Sequence, residues 1–111
     1  MNVQVNKDDK GHILTLGGKL DAVTAPAFEQ QVNSLLDTAP CSLIIDFAEL
    51  DYISSAGLRA LLATAKRIMI KGGQLCCANV TGTVKEVFDI SGFNTILQIR
   101  DSVDDAMAAI G

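Results

Sequence analysis

The sequence feature that most limits the fold is an alternation of helical and strand-like apolar patterns, which begins near Thr24. The helical segments carry apolar residues three or four positions apart, at Phe28, Val32, Leu35 and Leu36, and again at Leu58, Leu61, Leu62, Ala65, Ile68 and Met69. Between them, the nearly continuous apolar run Leu43–Phe47 is typical of a strand buried on both faces. Because helices usually make the crossovers between parallel strands, this alternation predicts an α/β domain with a mainly parallel sheet.

Two extended segments precede this alternation. Val3 and Val5 alternate with polar neighbours, and a second extended run, Ile13–Leu16, follows a charged turn. Such a pair predicts an N-terminal β-hairpin whose first strand lies antiparallel at one edge of the sheet. The expected architecture is therefore a central mixed, mostly parallel sheet of about four to five strands with about four helices.

Capping residues, proline and glycine mark the predicted ends of the helices and strands. Thr24 and Pro26 are placed at the start of the first helix, and Gly72 and Gly73 at the end of the second. The later elements are a strand at Leu75–Ala78, a helix capped by Thr81 or Thr83 and ending before Gly92, a strand through Ile96, Leu97 and Ile99, and a helix capped by Ser102. The predicted order is thus β-β-α-β-α-β-α-β-α.

Length and charge narrow the class of protein. The 111 residues predict a single domain spanning 1–111, and the net charge of -4 argues against a nucleic-acid partner. No apolar run approaches the roughly 18 residues of a membrane span, and the mixed, charged N-terminus is unlike a signal peptide. We therefore expect a cytoplasmic protein without a membrane partner.

The cysteines and the single histidine argue against a metal site and against catalysis. Cys41, Cys76 and Cys77 lie in strand-like runs, which predicts buried free thiols. No Cys/His cluster has metal-ligand spacing, and His12 is expected on an edge strand of the hairpin. No phosphate-binding glycine loop is present, and the Gly-x-Ser-x-Gly pattern of a serine nucleophile is also missing. We expect no cofactor, no metal and no enzymatic activity.

The segment from Asp46 to Arg59 links the central strand to the second helix and carries most of the functional information. Ser54 and Ser55 lie where a helix N-cap is expected, and the small residues Ala56 and Gly57 follow. The unpaired N–H groups of a first helical turn would tolerate a phosphate on Ser55. The alternative is that these serines only cap the helix.

The stretch Tyr52-Ile53-Ser54-Ser55-Ala56-Gly57-Leu58-Arg59 resembles the signature of the STAS family, whose best-known members are bacterial anti-sigma factor antagonists. Those proteins carry Asp-Ser-Ser/Thr-Gly-Leu-Gly at this place. Alignment on Gly57 puts their phosphorylated serine at Ser55, with Ser54 as the alternative acceptor. Further similar segments are Gly18-Lys19-Leu20-Asp21 with Thr24, Lys71-Gly72-Gly73, and Val84 to Gly92. Two positions depart from the family pattern, since Ser54 replaces Asp and Ala56 replaces Ser or Thr.

The resemblance implies a phosphorylation-controlled partner switch. The unphosphorylated protein, a monomer when free, would bind an anti-sigma factor that is also a GHKL-type serine kinase, and so release a sigma factor. Phosphorylation of Ser55 would break the complex, and a phosphoserine phosphatase would restore it. The residues implied in partner binding are Asp21, Ser54, Ala56, Gly57 and Arg59, with Asp46 in support.

Each charged residue of this set also has a purely structural explanation. Asp21 would bond local backbone N–H groups before the first helix. Asp46 would pair with a helix terminus at the end of its strand, and Arg59 would be a solvated helix residue. An alternative for the whole protein is a non-phosphorylated STAS subunit of a transport or stressosome-like complex, which Ala56 favours slightly.

Overall fold

A five-stranded sheet organises the protein, whose computed structural model describes residues 1–7, 11–37, 42–93 and 97–110. The elements are β1 Asn2–Lys7, β2 His12–Leu20, α1 Ala25–Leu36, β3 Leu43–Ile53, α2 Ser55–Ile70, β4 Leu75–Ala78, α3 Gly82–Ser91, β5 Gln98–Arg100 and α4 Val103–Ala109. The predicted order of strands and helices is confirmed.

The strands lie in the sheet in the same order as in the chain, β1-β2-β3-β4-β5. β1 pairs antiparallel with β2, and every later pair is parallel. The hairpin with an antiparallel edge strand is therefore confirmed, while its charged turn at 8–10 lies outside the described residues. Since the parallel strands β2 and β3 point the same way, their carboxyl ends meet at one edge of the sheet.

β3 has apolar contacts on both faces of the sheet. Leu43, Ile45 and Phe47 lie in the larger core, which also contains buried residues of α1, α2 and α3. Ile44 points to the other face, where it packs with Cys76, Ala78, Ala106 and Ile110. This alternation confirms the predicted two-sided burial of Leu43–Phe47 and explains why that run contains so few polar residues.

β3 is longer than the sequence predicts, because it continues past Phe47 to Ile53. The extension pairs with the second half of β2, through Gly17 with Glu49 and Leu20 with Ile53. At each register irregularity β3 carries one residue more than β2, which interrupts the two-residue period, so the buried residues of this part of β3, Leu50 and Ile53, are three positions apart. Because two polar or exposed residues separate them, this part of β3 lacks the regular alternation from which a strand is predicted.

The predicted helix ends agree well with the structure. α1 begins directly after Thr24 with Pro26 in its first turn, and α3 ends at Gly92, whose φ of 76° is left-handed. Ser102 caps α4 by accepting a hydrogen bond from the Asp105 N–H at 3.1 Å. The last strand lies slightly later than predicted, at Gln98–Arg100, and Ile96 lies outside the described residues. Met69, which the helical period assigned to the buried stripe of α2, is instead 71% exposed.

Across 1–7, 11–37, 42–93 and 97–110, no helix is both long and apolar enough to cross a membrane.

Candidate functional site

The candidate site lies where β3 ends and α2 begins. Ser54 is the single residue between the two elements and has an extended backbone, with φ -95° and ψ 175°. Its Oγ accepts a hydrogen bond from the Gly57 N–H at 3.2 Å, and its carbonyl accepts one from the Leu58 N–H at 2.9 Å. Ser54 is therefore the N-cap of α2, and its hydroxyl is committed to satisfying a first-turn N–H group.

Ser55 is the first residue of α2 and differs from its neighbour in both exposure and bonding. Its side chain is exposed, while Ser54 is half-buried. Within the described part of the chain, the Ser55 hydroxyl makes no hydrogen bond. The Ser55 hydroxyl is therefore accessible without disturbing the cap, whereas the Ser54 hydroxyl is half-buried and already bonded to the Gly57 N–H.

Close backbone contacts fix the start of α2 against the end of β2. The Ser54 N–H donates to the Leu20 carbonyl at 3.0 Å, in line with the strand pairing of Leu20 with Ile53. A Cβ atom on Gly57 would lie 2.5 Å from that same carbonyl oxygen. Gly57 is thus required for this approach and is itself buried. It supports the surface from beneath, and its part in partner binding stays a prediction.

Asp21 follows Leu20 directly and closes a tight turn beside the start of α2. Its Oδ1 accepts hydrogen bonds from the Val23 N–H at 3.0 Å and the Thr24 N–H at 3.1 Å. The Thr24 hydroxyl accepts from the Asp21 N–H and lies 2.9 Å from the Lys19 carbonyl, to which it donates. The backbone N–H of Thr24 is the main cause that lowers the pKa of Asp21 from its ordinary value. These bonds match the local role considered for Asp21.

Asp46 does not join this group, although a strand that ended near Phe47, as the sequence predicts, would place it at the same sheet edge as Ser55. It lies within β3 beside the end of β4, where it pairs with Thr15 and Ala78, and roughly 20 Å of strand separates it from the end of β3. Its Oδ1 accepts from the Asn79 side chain at 2.9 Å and from the Ala48 N–H at 3.0 Å. The error has the same cause as the underestimated length of β3. Asp46 stabilises the turn after β4 rather than the site.

Two exposed apolar residues of this region were not selected from the sequence. Val23, in the Asp21 turn, is 86% exposed, and Tyr52, near the end of β3, is 42% exposed. Together with Ser55, half-buried Ala56 and exposed Arg59, they form what we call the Ser55 surface. Tyr52 is part of the signature segment and could have been chosen on that ground. No sequence pattern marks Val23, because a single apolar residue in a loop belongs to no helical or strand periodicity.

The cysteines that the structure describes behave as buried thiols. Cys76 and Cys77 are fully buried in β4, and burial raises the pKa of both. The Cys76 thiol lies 3.1 Å from Gln98 Oε1 and donates to it. A raised pKa disfavours the thiolate that a nucleophile or metal ligand needs. Cys41 lies outside the described residues.

His12 was expected on an edge strand, and that expectation is wrong. It is buried at the start of β2, which has β1 on one side and β3 on the other. The cause is that β2 is an inner strand, because β3 pairs with it in parallel. Over the described ranges, no three His, Cys, Asp or Glu residues are grouped so that they could hold a metal ion.

Comparisons with known proteins agree with this fold. A family model described as the STAS domain matches residues 1–106. BtrV of Bordetella bronchiseptica, a candidate anti-sigma factor antagonist, is 35% identical over 109 residues, which cover 98% of this chain and 94% of BtrV. The chain is thus similar to BtrV over nearly the full length of both proteins.

Solved structures show the same fold. A candidate anti-sigma factor antagonist from Thermotoga maritima superposes with a TM-score of 0.90 at 20% identity, with 97% of this chain and 93% of that chain covered. The Bacillus cell fate determinant SpoIIAA, in its phosphorylated form, gives a TM-score of 0.75 at 18% identity, with 99% and 100% covered. At these identities the likeness concerns the fold alone.

Proposed function

Because the chain belongs to the STAS domain family, we propose that it is an anti-sigma factor antagonist whose partner binding is switched off by phosphorylation of Ser55. The observation that carries this proposal is the exposed, unbonded hydroxyl of Ser55 beside a serine whose own hydroxyl is used as the helix cap. The protein would act by binding rather than by catalysis, as a single cytoplasmic domain. Its partners would be an anti-sigma factor with serine kinase activity and a phosphoserine phosphatase.

The Ser55 surface suits a partner that covers it when it is uncharged. Val23 and Tyr52 offer exposed apolar area in the segments next to Ser55. Phosphorylation adds about -1.5 to -2 charges at pH 7. Leaving such a charge unpaired in an interface costs on the order of 2–5 kcal/mol, which lowers affinity by tens to thousands of fold. A single phosphate is therefore enough to release the partner.

The fold should survive this modification. The Ser55 side chain is exposed at the N-terminal end of α2, where the helix dipole favours negative charge. The Ser54 cap and the close contact between Gly57 and Leu20 do not involve the Ser55 hydroxyl. Phosphorylation would therefore change the charge of the surface and leave its framework in place.

Calorimetric titration of the host's anti-sigma factor kinase with Ser55→Ala and Ser55→Asp tests the proposal. We expect Ser55→Ala to bind like the wild type and Ser55→Asp to bind at least tens of fold more weakly, because only the latter places a charge in the interface. Ser34→Asp is the matched control, since Ser34 is an exposed serine near the C-terminal end of α1. It adds the same charge and should leave affinity unchanged.

Equal affinities of Ser55→Ala and Ser55→Asp would contradict the proposed switch. Phosphopeptide mapping of the protein from its host, with phosphatases inhibited, then identifies the acceptor. Phosphate on Ser54 alone would shift the acceptor by one residue. Complete absence of phosphate under several growth conditions would favour a STAS subunit that does not switch.

A further inference from the structure

Arg59 lies one helical turn after Ser55 on α2, and both residues are exposed. Residues four positions apart share a helix face, with Cβ atoms about 5–6 Å apart. Helical side chains also tilt toward the N-terminus, so the Arg59 side chain leans back over the turn that begins with Ser55. An acidic group that precedes a basic one by four residues is the more favourable order of such a pair.

Nothing in the described part of the chain competes for the Arg59 guanidinium. The ion pairs found there are Arg67 with Glu29 and Lys85 with Asp89, and Arg59 takes part in neither. The first turn of α2 contains no acidic residue. The charge of Arg59 is therefore available to an anion that appears at Ser55.

The backbone around Ser55 leaves few other donors for such an anion. The Gly57 N–H is already taken by Ser54 Oγ, and the Ser54 N–H by the Leu20 carbonyl. The first-turn N–H groups of Ser55 and Ala56 remain as backbone donors, because they have no partner within an α-helix. A guanidinium adds parallel N–H donors that match two phosphate oxygens.

Resting on the proposed phosphorylation of Ser55, we propose that Arg59 binds the Ser55 phosphate within the same helix and so stabilises the phosphorylated form of the protein. The arginine would have two states. It is a solvated residue of the Ser55 surface before phosphorylation, and the partner of the phosphate afterwards. The chain itself would then hold the phosphate.

The other charged groups near this turn are common to every variant of Arg59. They are Lys19 and Asp21 at the end of β2 and Asp51 in β3. Lys19, like Arg59, would attract a phosphate dianion on Ser55. The carboxylates of Asp21 and Asp51 would repel it. A comparison of variants that differ only at Arg59 removes these shared contributions.

The test uses full-length protein with phosphoserine incorporated at position 55 during translation, so that no kinase is needed. A pH titration followed by ³¹P NMR measures the second ionisation of the phosphate. Because an ion pair with Arg59 favours the dianion, we expect the phosphate pKa in the wild type to lie about 0.3 unit below that in Arg59→Gln. Arg59→Lys should recover only part of the shift, because an ammonium keeps the charge but lacks the parallel donors, and high salt should reduce it.

Lys66→Gln is the matched control, since Lys66 is an exposed cation of α2 that lies roughly 16 Å from Ser55 along the helix axis. It removes the same charge and should leave the titration of the phosphate unchanged. Identical titrations of the wild type and Arg59→Gln, or equal shifts in Arg59→Gln and Lys66→Gln, would overturn the proposal. This result is independent of whether the host phosphorylates Ser55, so failure of the ion pair and failure of the switch can be told apart.

Discussion

Adjacent serines at the start of α2 have different physical roles. Ser54 takes the position of the aspartate in the family pattern, and its hydroxyl still provides the cap acceptor for the Gly57 N–H. Ser and Asp are comparable N-cap residues, so the cap does not depend on a carboxylate there. The departure at Ser54 therefore preserves the local structure that presents Ser55.

The carboxylate of Asp21 should make stability depend on pH. Its pKa is lowered from the ordinary value of 3.8, mainly by the Thr24 N–H, so it stabilises the folded state above that value. This contribution is lost as the pH falls through the folded pKa. In Asp21→Asn the amide oxygen can still accept both N–H bonds but does not titrate. We expect the wild type to melt at a higher temperature than Asp21→Asn at pH 7, and the difference to shrink as the pH falls below 3.8.

Thermal denaturation of both proteins, followed by circular dichroism between pH 7 and pH 2, measures this difference. A gap in melting temperature that stays constant over the whole range would show that the charge of Asp21 does not contribute. Asp37→Asn is a suitable control, because Asp37 is an exposed carboxylate at the other end of α1.

At the scale of elements, the junction of β2, β3 and α2 determines where Ser55 lies. α2 starts one residue after β3 ends, so the helix has no linker that could let it shift. The Leu20 carbonyl bonds the Ser54 N–H and lies against Gly57, which ties the helix start to the neighbouring strand. The position of Ser55 is thus set by backbone packing.

Gly57→Ala should weaken this junction. The new Cβ would lie 2.5 Å from the Leu20 carbonyl oxygen and 2.9 Å from Ile53 Cγ1, so backbone must move. We expect a loss of about 1–3 kcal/mol in the free energy of unfolding, measured by urea denaturation.

Gly17→Ala provides the matched control for that substitution. A Cβ at Gly17 in β2 would make only ordinary contacts, the nearest at 3.6 Å. Its free energy of unfolding should change by less than about 1 kcal/mol. Equal losses in the two variants would show that the tight approach of α2 to β2 is not the cause.

At the scale of the whole molecule, Phe88 connects α3 to the sheet through the larger core. It is fully buried, with its ring centroid 5.7 Å from that of Phe47 in β3 and 6.1 Å from that of Phe93. The chain has only five aromatic residues, four Phe and one Tyr, and three of them meet here. This cluster stabilises the packing of α3 against the strands.

Phe88→Ala should therefore cost about 3–5 kcal/mol of the free energy of unfolding, through lost burial and the cavity that remains. Ile90→Ala, two residues later in the same helix, should change it by at most about 0.5 kcal/mol, because Ile90 is 88% exposed. Chemical denaturation of both variants measures the contrast. Similar losses would mean that α3 contributes to stability through its helical structure and not through this core.

The sequence by itself determined the order of elements, the two-sided burial of Leu43–Phe47 and the cap at the start of α2. These follow from local period, from cap residues such as Ser54 and from glycine at helix ends, all of which act over a few neighbouring positions. The segment around Ser55 also carried enough of a known pattern to identify the family. Ser55 and Ser54 could be chosen in this way, but not separated by their bonding.

Tertiary structure alone decided which residues meet at the site. It lengthened β3 to Ile53, which moved Asp46 away from Ser55 and brought Leu20 and Asp21 next to it. It buried Gly57 and His12 and exposed Val23. Strand pairing and register depend on contacts between distant parts of the chain, so no local pattern contains them. Exposure likewise depends on what packs against a residue, and here that is what distinguishes Ser55 from Ser54.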